Sequence, residues 1–288
     1  MSNSRFDHHT PKYEDSIGNF NLSYHLEMLK DTERVESIKK ALDETLIKGG
    51  VHCDLGAGTG IFAIYAAQKC KKVYAIEYDR EVFKIAQKNI NNSPFKDKIE
   101  LLFIDAMDFK PKEKVDTLLV EMMSIWCINE PQISVMNHAI QHILKKEGHP
   151  IPNKIINLVE LGNYDFYFNG IECRASIPQF TGISKPRIMT TSHIFNQFDL
   201  TQINSEHLQK EIQIPSLLDG VINCARLTSL VQLSPSITYY ASDSLMPQTI
   251  VPLNDLRVKS GDQLIFQADF KVRTSIDASR FKIRIAEH

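Results

Sequence analysis

At 288 residues the chain is too long for one small core and too short for three, so it holds one large domain or two unequal ones. Its hydrophobic content of 43% and charged content of 24% are those of an ordinary globular protein, and a formal net charge of -2 lacks the basic signature that accompanies nucleic-acid binding. No apolar run approaches the length of a bilayer span, so a membrane is not an expected partner.

The polar start, Met1 to Asp15, has no apolar signal-peptide region. Cys53, Cys70, Cys127, Cys173 and Cys224 are scattered, with no Cys-x-x-Cys pair, which argues against a disulfide framework and against structural zinc. The expected location is the cytoplasm, and no metal is expected. His138 and His142 stand four apart on an expected helix, but no third ligand completes a metal pattern.

Residues 1 to 20 are polar and carry no regular period. Leu26, Leu29, Val35, Ile38, Leu42 and Leu46 recur near helical spacing and predict helix from about Tyr24 to Leu46, with a second start at Asp31 or Thr32. Val51 to Leu55 reads as a buried strand, Gly56 to Gly60 as a glycine turn and Ile61 to Lys69 as a helix. Strand, helix, strand and strand follow at 73–77, 80–91, 99–104 and 115–120, then a helix from Ile133 to Leu144. Strands alternating with helices imply right-handed βαβ units and a parallel sheet.

After Gly148, Pro150 and Pro152 break any helix and mark a boundary. Beyond them the period is two. Ile155 to Leu161, Val221 to Leu233 and Leu264 to Val272 read as half-buried strands, with turns at Asp219-Gly220 and Ser260-Gly261-Asp262. The expected fold is α/β: a Rossmann-like domain over 1–148, with an N-terminal helical lid, and a smaller antiparallel barrel-like domain over 149–288.

The strongest chemical signal is Asp54-Leu55-Gly56-Ala57-Gly58-Thr59-Gly60, between a strand and a helix. Glycines at these positions allow a tight turn and close approach of a ligand to the backbone. Glu77 ends the next strand, where a carboxylate can accept both hydrogen bonds of a ribose diol. A dinucleotide fingerprint has the spacing G-x-G-x-x-G and cradles a pyrophosphate. Here an acid precedes the first glycine, which opposes a pyrophosphate and suits a ligand bearing an ammonium group, such as the methionine end of S-adenosylmethionine. A glycine turn serving only the fold is the bland alternative.

Strand 115–120 ends in Glu121, and Glu130 follows nine residues later on the same loop. Carboxyl ends of strands in open α/β sheets face the ligand site. Two carboxylates there can grip a planar cation and orient its nitrogen. Taken alone, Glu130 reads better as a surface loop residue. Trp126 and the two methionines beside it read as packing or as an apolar wall.

These motifs resemble the class I S-adenosylmethionine-dependent methyltransferases and, within them, the protein arginine methyltransferases. The glycine turn matches the first motif of the class, the nine-residue spacing matches the double-glutamate loop, and Tyr24-His25-Leu26-Glu27-Met28-Leu29-Lys30-Asp31-Thr32-Glu33-Arg34 is similar to the family's N-terminal helix. The resemblance implies the following roles. Asp54 and Gly56 line the methionine part of the pocket, Gly58 and Gly60 complete the cofactor-binding turn, Glu77 holds the ribose, and Asp105-Ala106 meets the adenine edge. Met28 packs near the sulfonium, Arg34 pairs with the cofactor carboxylate, and Glu121 and Glu130 hold the acceptor. The implied acceptor bears a guanidino or amino group, on a small molecule, a peptide or a protein.

The chain departs from that family in three places. Asp15 to Asn19 lack the expected tyrosines, Ser244, Leu245 and Met246 stand where the family has Thr-His-Trp, and Gly162 to Thr201 is too short for the helical dimerisation arm. Two other readings stay open here: a methyltransferase acting on oxygen, carbon or nucleic acid, and a cofactor-binding subunit without catalysis. The first lacks an Asn/Asp-Pro-Pro-aromatic motif after the fourth strand. The second leaves the paired glutamates without a use.

Overall fold

The computed structural model describes residues 22–180, 182–240 and 246–286. The expectations placed on residues 1 to 20, and on Ser244 and Leu245, lie outside the described residues. The continuous helical period of the N-terminal segment is broken at Asp31 into α1 (Leu22–Lys30) and α2 (Thr32–Thr45). Asp31 is the reason for the break: its carboxylate accepts from the Arg34 amide and caps α2. Val35, Ile38, Ala41 and Leu42 form the buried stripe of α2.

β1 (Val51–Leu55), β2 (Lys72–Glu77), β3 (Ile99–Phe103), β4 (Val115–Val120) and β5 (Leu144–Ile151) form one parallel sheet in the order β3-β2-β1-β4-β5. α3 (Ile61–Ala66), α4 (Arg80–Asn91) and α5 (Gln132–His142) supply crossovers. β1 is buried along its whole length, as a central parallel strand must be. Its two polar residues are accommodated differently. His52 meets the Thr117 hydroxyl at 2.8 Å, and burial drives the imidazole down to about 3, so it stays neutral.

The helical period runs to Leu144, and the prolines after Gly148 predict a domain boundary, with no strand between helix and boundary. The structure makes Leu144–Ile151 the fifth strand. Lys145-Lys146-Glu147 hides the strand because its charges sit on a sheet edge, where side chains stay solvated, and Pro150 is tolerated for the same reason.

The chain then enters antiparallel structure. β6 (Lys154–Asn163) pairs with His193–Asp199 on one side and Gly220–Gln232 on the other, and Gly220–Gln232 pairs with Thr249–Val258. A second sheet joins His207–Pro215, Gln263–Lys271 and Arg280–Ile285. The two sheets curl into a barrel-like unit. Between Asn163 and His193 the described residues hold short strands and a hairpin, Tyr167–Phe168 with Ile171–Glu172, and no helix.

One apolar core runs through both halves. Its bridge is Trp126, on the loop after β4. The indole stacks on Phe195 at 4.7 Å and meets Phe270 at 5.8 Å, and both phenylalanines belong to the barrel. The parallel sheet and the barrel are therefore packed as one body around that ring.

Candidate active site

A cavity opens at the carboxyl ends of β1, β2 and β4, and α1 and the start of α2 cover it. Met28, Arg34, Asp54, Gly56, Gly58, Glu77, Glu121 and Glu130 all line it. Three expected residues do not. Gly60 begins α3 with φ +82° and gives room to Ile90, whose side chain would lie 3.4 Å from a β-carbon there, so it serves the packing of α3 on α4. Ala106 is buried and lies outside the cavity wall. Asp105 spends one oxygen on the Met107 amide at 2.8 Å, although its charge is felt at Tyr78, which does line the cavity.

The glycine turn is held from within. Glu77 accepts from the amide of Gly58 at 2.9 Å with one oxygen, and from Tyr78 at 2.9 Å and Asp79 at 2.8 Å with the other. Burial still raises its pKa, against the pull of those amides. Gly56 and Gly58 have φ of +75° and +56°, a region that favours glycine. A β-carbon on Gly56 would fall 2.6 Å from the Met122 methyl, and one on Gly58 would fall 3.0 Å from the His25 ring nitrogen. His25 and Met122 therefore press on the turn from above. Burial lowers the His25 pKa, with Asp79 opposing, so the ring is neutral near pH 7.

Asp54 is buried beneath the turn, and its Oδ2 has no hydrogen-bond partner among the described residues. Burial, then Glu77, pushes its pKa up to about 7, while the Ala63 amide works against them. An orphaned buried carboxylate oxygen at a cavity wall is costly unless a donor arrives. A ligand ammonium group is such a donor.

Glu121 and Glu130 meet at the same cavity. The Arg34 guanidinium is ion-paired with Glu121. Glu130 is pushed up to about 8 by burial first and by Glu121 second, with Arg34 opposing. The cavity thus holds one carboxylate ion-paired to Arg34 and one carboxyl that keeps its proton near neutrality.

A buried glutamine and a half-buried serine frame this loop. The Gln132 amide accepts from Met122 N at 2.9 Å and donates to the Val120 carbonyl at 3.0 Å, clasping the backbone on both sides of Glu121. The Ser124 hydroxyl accepts from the amides of Asn129 at 3.0 Å and Glu130 at 3.1 Å. Sequence reasoning missed both; it left Met122 open between packing and an apolar wall, and Met122 lines the cavity. Gln132 carried no local signal, because its partners lie in another element. His25 stood inside the N-terminal motif but was given no role. His138 gives its Nε2 to the Phe109 carbonyl and its ring to His142 at 4.8 Å, a packing arrangement.

Residues 53–148 match a family model described as a methyltransferase domain. An uncharacterized protein of Methanocaldococcus jannaschii is 30% identical over 80% of this chain and 86% of its own length. An arginine N(omega)-methyltransferase of Streptomyces achromogenes subsp. streptozoticus is 24% identical over 88% of this chain and 78% of its own. Among solved structures, the Trypanosoma brucei PRMT1 enzyme–prozyme heterotetrameric complex with AdoHcy superposes with a TM-score of 0.75 at 18% identity, covering 95% of this chain and 100% of that one. Protein arginine methyltransferase 10 of Arabidopsis thaliana, in an open conformation, gives 0.74 at 15% identity, covering 93% and 98%. At these identities the superpositions establish the fold.

Proposed function

The chain belongs to the class I S-adenosylmethionine-dependent methyltransferases and resembles the arginine methyltransferases among them, and on that premise we propose that it methylates a nitrogen of a guanidino or amino acceptor. The observation that carries this reading is the meeting of Glu121 and Glu130 at the cavity that also holds Arg34, Asp54 and Glu77. The similarity to an arginine N(omega)-methyltransferase over most of the chain makes the guanidino group of arginine the first acceptor to test. On this reading residues 1–148 hold the cofactor and residues 149–288 face the acceptor. A reducing, cytoplasmic setting is part of the proposal, since the five cysteines are free.

The residues present fit the cofactor. The unpartnered Asp54 oxygen takes the ammonium, Arg34 the carboxylate, and Glu77 a ribose hydroxyl through its remaining lone pairs. Gly56 and Gly58 keep the turn free of side chains, and Met28 and Met122 supply an apolar wall. When bound, S-adenosylmethionine supplies the electrophilic methyl group.

Glu121 lies where its charge grips a guanidinium, and Glu130 lies beside it with a pKa near neutrality. Methyl transfer from the bound cofactor would require the acceptor nitrogen to shed a proton, and ionised Glu130 would take it. The enzyme's contribution is alignment of the nitrogen lone pair and electrostatic complement to a cation. Labelled cofactor offered with free arginine, guanidino metabolites, amines and arginine-containing peptides tests the reading. Transfer to a guanidino or amino nitrogen is expected, and label appearing only on oxygen or carbon overturns it.

A further inference from the structure

The loop between the two glutamates is bent in a way its own sequence does not favour. Trp126 has φ +56° and Cys127 has φ +57°, a left-handed pair with no glycine. Side-chain-bearing residues hold that conformation only where surrounding structure imposes it. Here the surroundings come from the barrel. The Trp126 amide donates to Ser229 Oγ at 3.0 Å, and the Trp126 carbonyl accepts from Asn157 Nδ2 at 3.3 Å. Ser229 Oγ in turn donates to Asn157 Oδ1 at 2.9 Å, and Asn157 donates to Asn196 at 3.1 Å. Asn157 and Ser229 are direct cross-strand partners, and both are fully buried. The indole Nε1 donates to the carbonyls of Leu158 and Thr228, each at 3.1 Å, on the same two strands.

Trp126 stands five residues after Glu121 and four before Glu130. Whatever fixes its backbone fixes the separation and aim of the two carboxylates. We propose that Asn157 and Ser229 are positioning residues for methyl transfer, a claim that rests on the proposed role of Glu121 and Glu130. They touch neither the cavity nor the glutamates. They act by holding both backbone polar groups of Trp126 in the strained conformation from which the two glutamates converge. The barrel thereby sets the catalytic geometry as well as facing the acceptor.

Trp126 is the single tryptophan of the chain, so its fluorescence reports this loop alone. Asn157→Asp keeps volume and an acceptor but loses the donor to Trp126, and Ser229→Ala leaves the Trp126 amide unpaired. In folded protein, each is expected to raise acrylamide quenching of Trp126 and to lower methyl transfer to free arginine by about 100-fold, with affinity for S-adenosylhomocysteine held within about twofold. Adding Cys127→Gly to Ser229→Ala relaxes one strained position and opens a small void. Turnover should recover in part while the melting temperature falls further, which a merely structural role would not produce. Variants that keep native turnover, or that lose it in proportion to cofactor affinity, overturn the proposal. Should one of the pair fail to fold, the other decides. If the native chain methylates no guanidino or amino compound, the acceptor reading falls while the quenching still decides whether Asn157 and Ser229 hold the loop. Glu121→Gln provides the contrast: loss of turnover with Trp126 as shielded as in the native chain.

Discussion

The guanidinium of Arg34, at the start of α2, is ion-paired with the carboxylate of Glu121, at the end of β4, and the two side chains are only 3% and 6% exposed. The pair joins the N-terminal helices to the active-site loop. It also joins two proposed binding roles, since Arg34 is the residue expected to meet the cofactor carboxylate and Glu121 the one expected to meet the acceptor. Removing one partner of a buried pair leaves an uncompensated charge. Arg34→Ala should therefore cost about 3–5 kcal/mol of stability and weaken S-adenosylhomocysteine binding. Combining it with Glu121→Gln should restore much of the stability and none of the affinity. Denaturation and calorimetry on Arg34→Ala, Glu121→Gln and the double variant check this, and an Arg34→Ala chain as stable as the native one would refute it.

Glu121→Gln keeps shape and removes the charge paired with Arg34, and Glu130→Gln keeps shape and removes the carboxyl proposed to accept the proton. Each should abolish most turnover on the true acceptor while cofactor binding persists, which also separates an enzyme from a binding-only subunit. Full activity in both variants would leave only the cofactor site of the proposal standing.

Acidity offers an independent test. Glu130 is raised to about 8 and Asp54 to about 7, in both cases chiefly by burial. Both hold protons in the folded chain that the unfolded chain has already lost. Their contribution to stability is complete below the unfolded carboxyl range and is lost as pH rises through the folded values. Denaturant titrations of the ligand-free protein should show stability falling between about pH 4.5 and 8, by at most about 1.4 kcal/mol per pH unit for each group. Glu130→Gln should flatten the upper part of that slope. Turnover should move the opposite way, rising toward pH 8 as Glu130 becomes able to accept a proton.

Glu77 has two tasks, since it anchors Gly58, Tyr78 and Asp79 by their amides besides facing the proposed ribose site. Glu77→Ala should weaken cofactor binding by about 1.5–3 kcal/mol for the lost charged contact and lower the melting temperature as the turn loosens. Unchanged cofactor affinity would remove Glu77 from the site.

Gln132→Met tests the clasp around Glu121. It leaves the Met122 amide and the Val120 carbonyl without their partner, which should destabilise the chain by about 1–3 kcal/mol. Turnover should fall further than that loss explains, with cofactor affinity near native. A chain that is destabilised and fully active would make Gln132 a structural residue only.

Much of the cavity wall was legible in the sequence because its residues are close in the chain. Asp54, Gly56 and Gly58 are contiguous with β1, and Glu77 ends the neighbouring strand, so one βαβ unit brings them together. Glu121 was legible as the last residue of a buried strand. Gly60, Asp105 and Ala106 lie outside the cavity wall for reasons the motif does not carry, namely helix packing, an amide bond to Met107 and burial in the core. β5 was missed because an edge strand with solvated lysines does not alternate cleanly. The supports of the active-site loop were illegible for a simpler reason. Gln132 bonds backbone atoms, and Asn157 and Ser229 act across strands far away in the chain, so no spacing or residue type announces them.

The hydrogen bond from the Trp126 amide to Ser229 spans 103 residues of sequence, and that distance bears on how the protein matures. During synthesis the parallel sheet leaves the ribosome before the barrel strands do. The loop carrying Glu121 and Glu130 can be present then, but the contacts that bend it are not. Long-range pairings of this kind close slowly and late. The half of the chain that carries the glycine turn acquires the bend between Glu121 and Glu130 only once residues 228–229 have been made and paired, so on the proposed reading the two glutamates converge after those barrel strands form.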